Sequence, residues 1–334
     1  MSLFRRLHFF EIFPIVNLVA IALIARTQAG VSILGMIVVI TFALMPYAVI
    51  GMLVRVFIAA ARKDRAYFAI IRDWRYHVET ARLVFATSLM INTYGWIKLT
   101  VPLVHPRLFD QQLWNVDRRL FFGMSPNVFF LELFRGPAML RAIDTSYAAI
   151  FGVSIILALA YFFSHPSRRV RVAFANGNAA MWITGAWLYM LIPSVGPAYR
   201  FPDLWFPYAA SLQKTQLLQA VLMKNYLNVH RWSQGGAIQE PIRIAYGIAA
   251  FPSLHVAFQT YVFLWLRRLW TWGEVLFGFF VVAIFLGSIV TGWHYVIDGL
   301  AAILLAWTCY ALTSRASRMK RWFALFLSVH ARTR

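Results

Sequence analysis

The sequence predicts an all-α polytopic membrane protein with about eight transmembrane helices. Three observations carry that expectation. Of 334 residues, 61% are hydrophobic and only 13% charged, whereas roughly a quarter of a soluble domain is charged. Apolar runs recur along the chain, each close to the roughly 20 residues that a helix needs to cross a bilayer. Lysines and arginines gather at the ends of these runs rather than inside them, the pattern that fixes membrane topology.

The net charge of +20 is therefore read as anchoring and as attraction to anionic lipids at the basic segments. Nucleic acid is not an expected partner, because no basic domain stands apart from the spans. The single cysteine, Cys309, lies in an apolar run, which leaves no disulfide and no cysteine metal site. Nothing in the chain calls for a cofactor or a metal.

Taken in order, residues 1–10 form a short basic lead with Arg5 and Arg6. Spans are expected over 11–25 and 31–61, the second kinked at Pro46. Residues 64–82 mix arginines with Tyr67, Phe68, Trp74 and Tyr76 and read as an interfacial segment on an anionic leaflet. Residues 1–82 thus make an N-terminal unit of two helices plus that segment. A third span over 83–104 opens a six-helix core extending to residue 313. Within it, 105–141 alternates aromatic and charged residues and reads as a cap at the membrane surface, where Asp110 and Asp117 are expected to pair with Arg107, Arg118 or Arg119. Spans follow over 142–163 and 171–192, then a long loop over 193–250, then three more spans. Residues 314–334 form a basic cytoplasmic tail.

Orientation follows from the short connections. With the N-terminus inside, segments 1–10, 62–82, 164–171, 267–274 and the tail are all inside and hold most of the cations. Both termini are then cytoplasmic. The long loops face the periplasm, the exterior or an organelle lumen, and the host is an inner, plasma or organelle membrane.

The candidate chemistry lies between residues 251 and 298. Phe251-Pro252-Ser253-Leu254-His255 opens one apolar run, and His294-Tyr295-Val296-Ile297-Asp298 follows the next, after a basic turn at Arg267-Arg268. Each run, with its flanks, is about long enough to cross, so both histidines are expected at one membrane face. His294 and Asp298 stand at i, i+4, on one face of a helix. A carboxylate there fixes the imidazole tautomer and raises the basicity of the other nitrogen, as a nucleophilic histidine requires. His255 has no such carboxylate nearby in sequence and suits a general acid. Ser253, beside Pro252 at a helix start, offers a hydroxyl and free N–H groups to a phosphate oxygen. Two histidines and a carboxylate also suit zinc or iron, but no third nitrogen or sulfur ligand is evident.

Pro252-Ser253-Leu254-His255 followed by His294-x3-Asp298 resembles the second and third signatures of the type-2 phosphatidic acid phosphatase superfamily. The branch it looks most like contains the fungal inositol phosphorylceramide synthases, which favour Phe-Pro-Ser-Leu-His. The resemblance implies that the last six helices form the family's core. It also implies that His294 attacks phosphorus to give a phosphohistidine, that Asp298 orients it, and that His255 protonates the leaving group. The chain departs from the family at two places. Ser288 stands where the third signature has arginine. In the first signature, Pro193 replaces lysine, while Arg200 falls on the arginine and is the expected phosphate-binding cation, with Tyr199 beside it as a further candidate. Lys98, separated by six residues from His105-Pro106, imitates the first signature on an earlier helix; as an ionisable residue in a span it is a candidate for the site, and near the span's end it also fits simple snorkelling.

The function expected from these residues is a metal-independent phosphotransferase. It would move a lipid phospho-head group, phosphoinositol or a relative, from a membrane lipid donor to a lipid hydroxyl. With water as acceptor the same site is a lipid phosphate or polyprenyl (pyro)phosphate phosphatase. A non-enzymatic lipid transporter, with the histidines as gate or proton relay, is the alternative of another class.

Overall fold

The computed structural model describes residues 7–25, 33–236, 242–243 and 246–330, with side chains in the last helix described to Ser314. Arg5, Arg6 and the side chains of the basic tail lie outside the described residues. Helices and their connections account for the described chain, with no strand among the described residues.

Each of the eight expected spans corresponds to a helix: α1 (Phe9–Ala25), α2 (Ile33–Ala61), α4 (Trp74–Val104), α7 (Pro137–Phe163), α8 (Arg168–Leu191), α11 (Leu254–Leu266), α12 (Thr271–Val290) and α13 (Val296–His330). Four of these, α2, α7, α12 and the Val296–Ser314 part of α13, are long and apolar enough to cross a membrane, while α1 and α11 are shorter apolar helices. α4 and α8 are long but carry more polar residues. In α4, Asn92, Thr93 and Thr100 each donate to the carbonyl four residues back, which lets those donors sit in an apolar surround. α4 packs on α1, α2 and α8, and α11 on α12 and α13, so the less apolar helices are central.

Two sequence expectations change. Residues 74–82 do not lie in the interfacial segment. A short amphipathic helix, α3 (Arg65–Arg72), starts at an Asp64 cap and stops at Asp73, whose carboxylate then caps α4. Residues 74–82 are the first turns of α4, with Tyr76, Glu79 and Thr80 buried. α11 has 13 residues, only about 20 Å of helix, and is too short to cross unaided.

Between the spans sit smaller helices. α5 (Asp110–Leu120) and α6 (Pro126–Leu133) form the cap, α6 starting with Ser125 as N-cap and Pro126 in its first turn. α9 (Pro197–Arg200), two 3-10 turns and α10 (Gln213–Ser233) fill the long loop. The basic residues of α3, of the α4 start and of the α8 start share one end of the bundle, joined by Arg168 and Arg171 on Glu79. His255 and His294 are at the other end.

Candidate active site

His294 sits in the turn between α12 and α13. That turn is built by Ser288, whose carbonyl accepts the Trp293 and His294 N–H groups at 2.9 and 3.2 Å. The residue standing in for the superfamily arginine therefore shapes the backbone under the histidine. His294 Nδ1 lies 3.3 Å from Asp298 Oδ2, which also accepts the Tyr295 N–H at 2.9 Å. Asp298 is fully buried and its other oxygen has no partner. Burial, reinforced by the Lys98 charge and only partly offset by a backbone hydrogen bond at Ala250, pulls the His294 pKa down to about 3. The ring is neutral at physiological pH, with its lone pair available. The rise in basicity expected from the carboxylate is outweighed by desolvation.

His255 lies in the first turn of α11, its ring 6.1 Å from that of His294 and edge-on to it. Phe151 packs on one side at 4.1 Å. The Tyr147 hydroxyl is 2.8 Å from His255 Nδ1. The phenol donates to Nδ1 when that nitrogen is bare and accepts from it when it is protonated. Ser253 caps α11, its backbone N–H bonded to the Asp298 carbonyl at 3.1 Å. Its buried hydroxyl has no partner. The segments bearing the two histidines are thus joined directly.

Both histidines line one cavity of about 530 Å³. The cation that lines it with them is Lys98, from α4. Its ammonium lies over the Tyr94 and Tyr189 rings at 5.7 and 5.6 Å and has no carboxylate partner among the described residues. Gly247 packs so closely over Lys98 that a Cβ there would stand 3.0 Å from its Cγ and 3.1 Å from its backbone carbonyl. Arg200 is exposed at the end of α9, over the Phe201 ring, and does not line the cavity. Tyr199 bonds the Gln219 carbonyl and packs edge-on to Trp293, one residue outside the lining. His105, the other half of the first-signature imitation, bonds the Met190 carbonyl.

Asp110 and Asp117 do not pair with arginines. Each is 1% exposed and accepts from the backbone of another segment. Asp110 takes the Val195 and Gly196 N–H groups and the Tyr295 hydroxyl. Asp117 takes the Val296 and Ile297 N–H groups at 2.7 and 2.9 Å, and so caps α13 from a distance. Asp144 of α7 does the same for α10 through Lys214 and Thr215. The reason is shared: helix starts leave free N–H groups, and a buried one costs free energy unless it is bonded. Asn127 adds the opposite polarity, donating to the Ile289 and His294 carbonyls at 3.0 Å each. Burial pushes the Asp110 carboxyl upward and that of Asp117 up to about 6, against the pull of those N–H groups. Gly196 has φ 100° and its Cβ position falls 2.5 Å from the Trp293 carbonyl, so a side chain there would separate the two loops.

Sequence reasoning passed over Tyr147, Asn127 and the true partners of Asp110 and Asp117. The seven-residue spacing of the two aspartates was the one local signal, since it places both on one face of α5.

The family model described as the PAP2 superfamily matches residues 111–312, more than half of the chain. The chain belongs to the PAP2 superfamily. The matched region runs from α5 into α13 and holds both histidine motifs, while Lys98 lies before it. No curated protein and no solved structure gives a match. A PAP2 superfamily protein embedded in the membrane by apolar helices fits a lipid phosphatase or phosphotransferase.

Proposed function

We propose that this protein is a lipid phosphotransferase working through a phosphohistidine, without a metal ion. The observation that carries the reading is the convergence of His255, His294 and Lys98 on one largely apolar cavity, with His294 tied to Asp298. The His294 nitrogen attacks phosphorus. The bond from phosphorus to the leaving oxygen breaks, and His255, entering the step as the imidazolium, gives that oxygen its Nε2 proton and ends neutral. An acceptor hydroxyl then attacks the phosphohistidine, its proton passes to His255, and the phosphorus–nitrogen bond breaks. Lys98 and the unpartnered Ser253 hydroxyl hold the phosphoryl oxygens, so charge that develops in the transition state meets groups already in place. Arg200, one loop away, meets the head group as it enters.

A lipid hydroxyl as acceptor is supported by the surroundings. α10 and residues 246–249 cover the site and its walls are mostly apolar, which disfavours water. The motif resemblance to inositol phosphorylceramide synthases suggests phosphoinositol or a similar head group as cargo. The gathering of arginines at the opposite end supports the histidines facing the periplasm, exterior or lumen.

The test is acid-labile, base-stable phosphate on the purified protein incubated with phosphate-labelled lipids in detergent. Wild type is expected to label, His294→Ala not to label, and a hydroxyl lipid to discharge the label faster than water does. Label that persists in His294→Ala overturns the nucleophile. Discharge by water alone makes the protein a phosphatase. Turnover that is unlabelled and abolished by EDTA overturns the metal-free scheme.

A further inference from the structure

We propose that the arm of the cavity below the histidines binds one hydrocarbon chain of the reacting lipid, and that Thr87 and Asn178 at its floor set the chain length accepted. This deepens the phosphotransfer reading and rests on it for the identity of the head group.

Two stripes of side chains form the arm. On α4, Lys98, Tyr94, Ile91 and Thr87 lie on one face, each about a turn below the last. On α7, Tyr147, Phe151, Ile155 and Leu159 do the same in the opposite chain direction. The cation and the phenol that touches His255 are thus at the top of both stripes, and aliphatic residues are at the bottom. At 1.5 Å per residue each stripe descends roughly 16–18 Å, about half of a hydrocarbon core of roughly 30 Å. Half of the core is one leaflet, the depth of one lipid tail. Two independently placed helices give the same depth.

The floor is polar. Asn178 is 4% exposed, its amide oxygen has no partner, and its amide nitrogen meets only the Met90 sulfur, at 3.5 Å. Thr87 lies beside it in the lining. A chain end pressed on an unpaired amide gains nothing and keeps water from it, so the arm ends there for an alkyl chain. α2 meets α4 at this level, with Ser88 donating to the Ile37 carbonyl at 2.8 Å. Further along, α2 packs on α7, where Gly51 lies against the Ala160 carbonyl. α4 and α7 themselves barely touch. The seam between the stripes is bridged by α2 at the level of the floor and by α10 at the top, where Leu218 and Leu222 join the lining.

The experiment uses phospholipids with a diazirine at the end of one chain, incorporated with the full chain in nanodiscs, in wild type and in His294→Ala. Photolabel, located to the residue by fragmentation, is expected on Thr87, Ile155 and Leu159 in both proteins, and competed by an unlabelled phospholipid more than by a diacylglycerol. Label confined to the outward residues Phe85, Val153 and Leu157 overturns the chain site. Because His294→Ala is included, arm labelling supports the chain site even if no phosphohistidine forms, and the two readings fail separately. In turnover, Ile155→Trp is expected to raise the ratio of KM for long-chain over short-chain donors about tenfold, and Asn178→Leu to lower it. Ratios unchanged in both variants, with photolabel absent from the arm, overturn the length-setting role.

Discussion

At the arginine-rich end of the bundle, Glu79 accepts from Arg168 and Arg171, and Glu11 from Arg82. At the histidine end, Asp110, Asp117 and Asp144 are buried just as deeply, yet all three accept from backbone N–H groups of other segments. The first arrangement consumes cations and the second spares them. Among the described residues Lys98 has no carboxylate partner, and the carboxylates of this end hold loops in place instead. At the other end the charges neutralise each other and serve packing.

The largest effect expected from this contrast is on stability alone. Glu79→Ala strips the partner from Arg171, which is 2% exposed, and removing one member of a buried pair costs about 3–5 kcal/mol. Chemical unfolding in detergent should register that loss, while kcat of the folded fraction stays at the wild-type value. A fall in kcat would break the division between the two ends. Asp117→Ala should cost less stability, about 1–3 kcal/mol for the N–H groups it orphans. It should also lower kcat, on the order of 10²-fold for a catalytic loop displaced by about an ångström. Unchanged kcat in a folded Asp117→Ala protein would show that the distant cap matters for stability only.

Tyr147→Phe is a smaller change. It removes the hydroxyl on His255 Nδ1 and keeps the ring, so kcat should fall about tenfold, the worth of one hydrogen bond of roughly 1.4 kcal/mol, with KM little altered. An equal loss in KM would mean that the phenol binds substrate instead of orienting the histidine. The last difference is in acid. With the His294 pKa at about 3 in the fold and about 6.5 unfolded, the unfolded chain takes up the proton first. Its stabilising contribution is complete above about pH 6.5 and is lost progressively as pH falls toward 3. The acid limb of kcat/KM should accordingly lie well below 6.5. Asp117, raised to about 6, also titrates near there, so the profile is compared in Asp117→Asn, where a limb that stays at 6.5 would place His294 in a wetter site than the one described.

The helices were legible because an apolar run announces itself locally. The pairing of His294 with Asp298 was legible for the same reason, being four residues apart. The partners of Asp110 and Asp117 were not, since a carboxylate can cap any helix start that the fold brings near it. Sequence order pointed to Arg200 as the phosphate cation, whereas α4 rises beside α8 to bring Lys98 into the cavity. The bounds of α11 were legible, from Ser253 at its start to Arg267 after its end; the flanks counted with the run as spanning length are not helical.

The bond from Val296 to Asp117 joins residues 179 positions apart, and that from Tyr295 to Asp110 joins residues 185 apart. Contacts so distant in sequence close late, after the cost of ordering the intervening chain has been met. α5 is synthesised long before α13 exists; Asp110 can meet Val195 and Gly196 before then, but Asp117 waits with nothing to cap. A nascent chain that already carries every earlier span and the Lys98 ammonium still lacks the pairing of His294 with Asp298, and the two histidine motifs come together only when the final helix arrives.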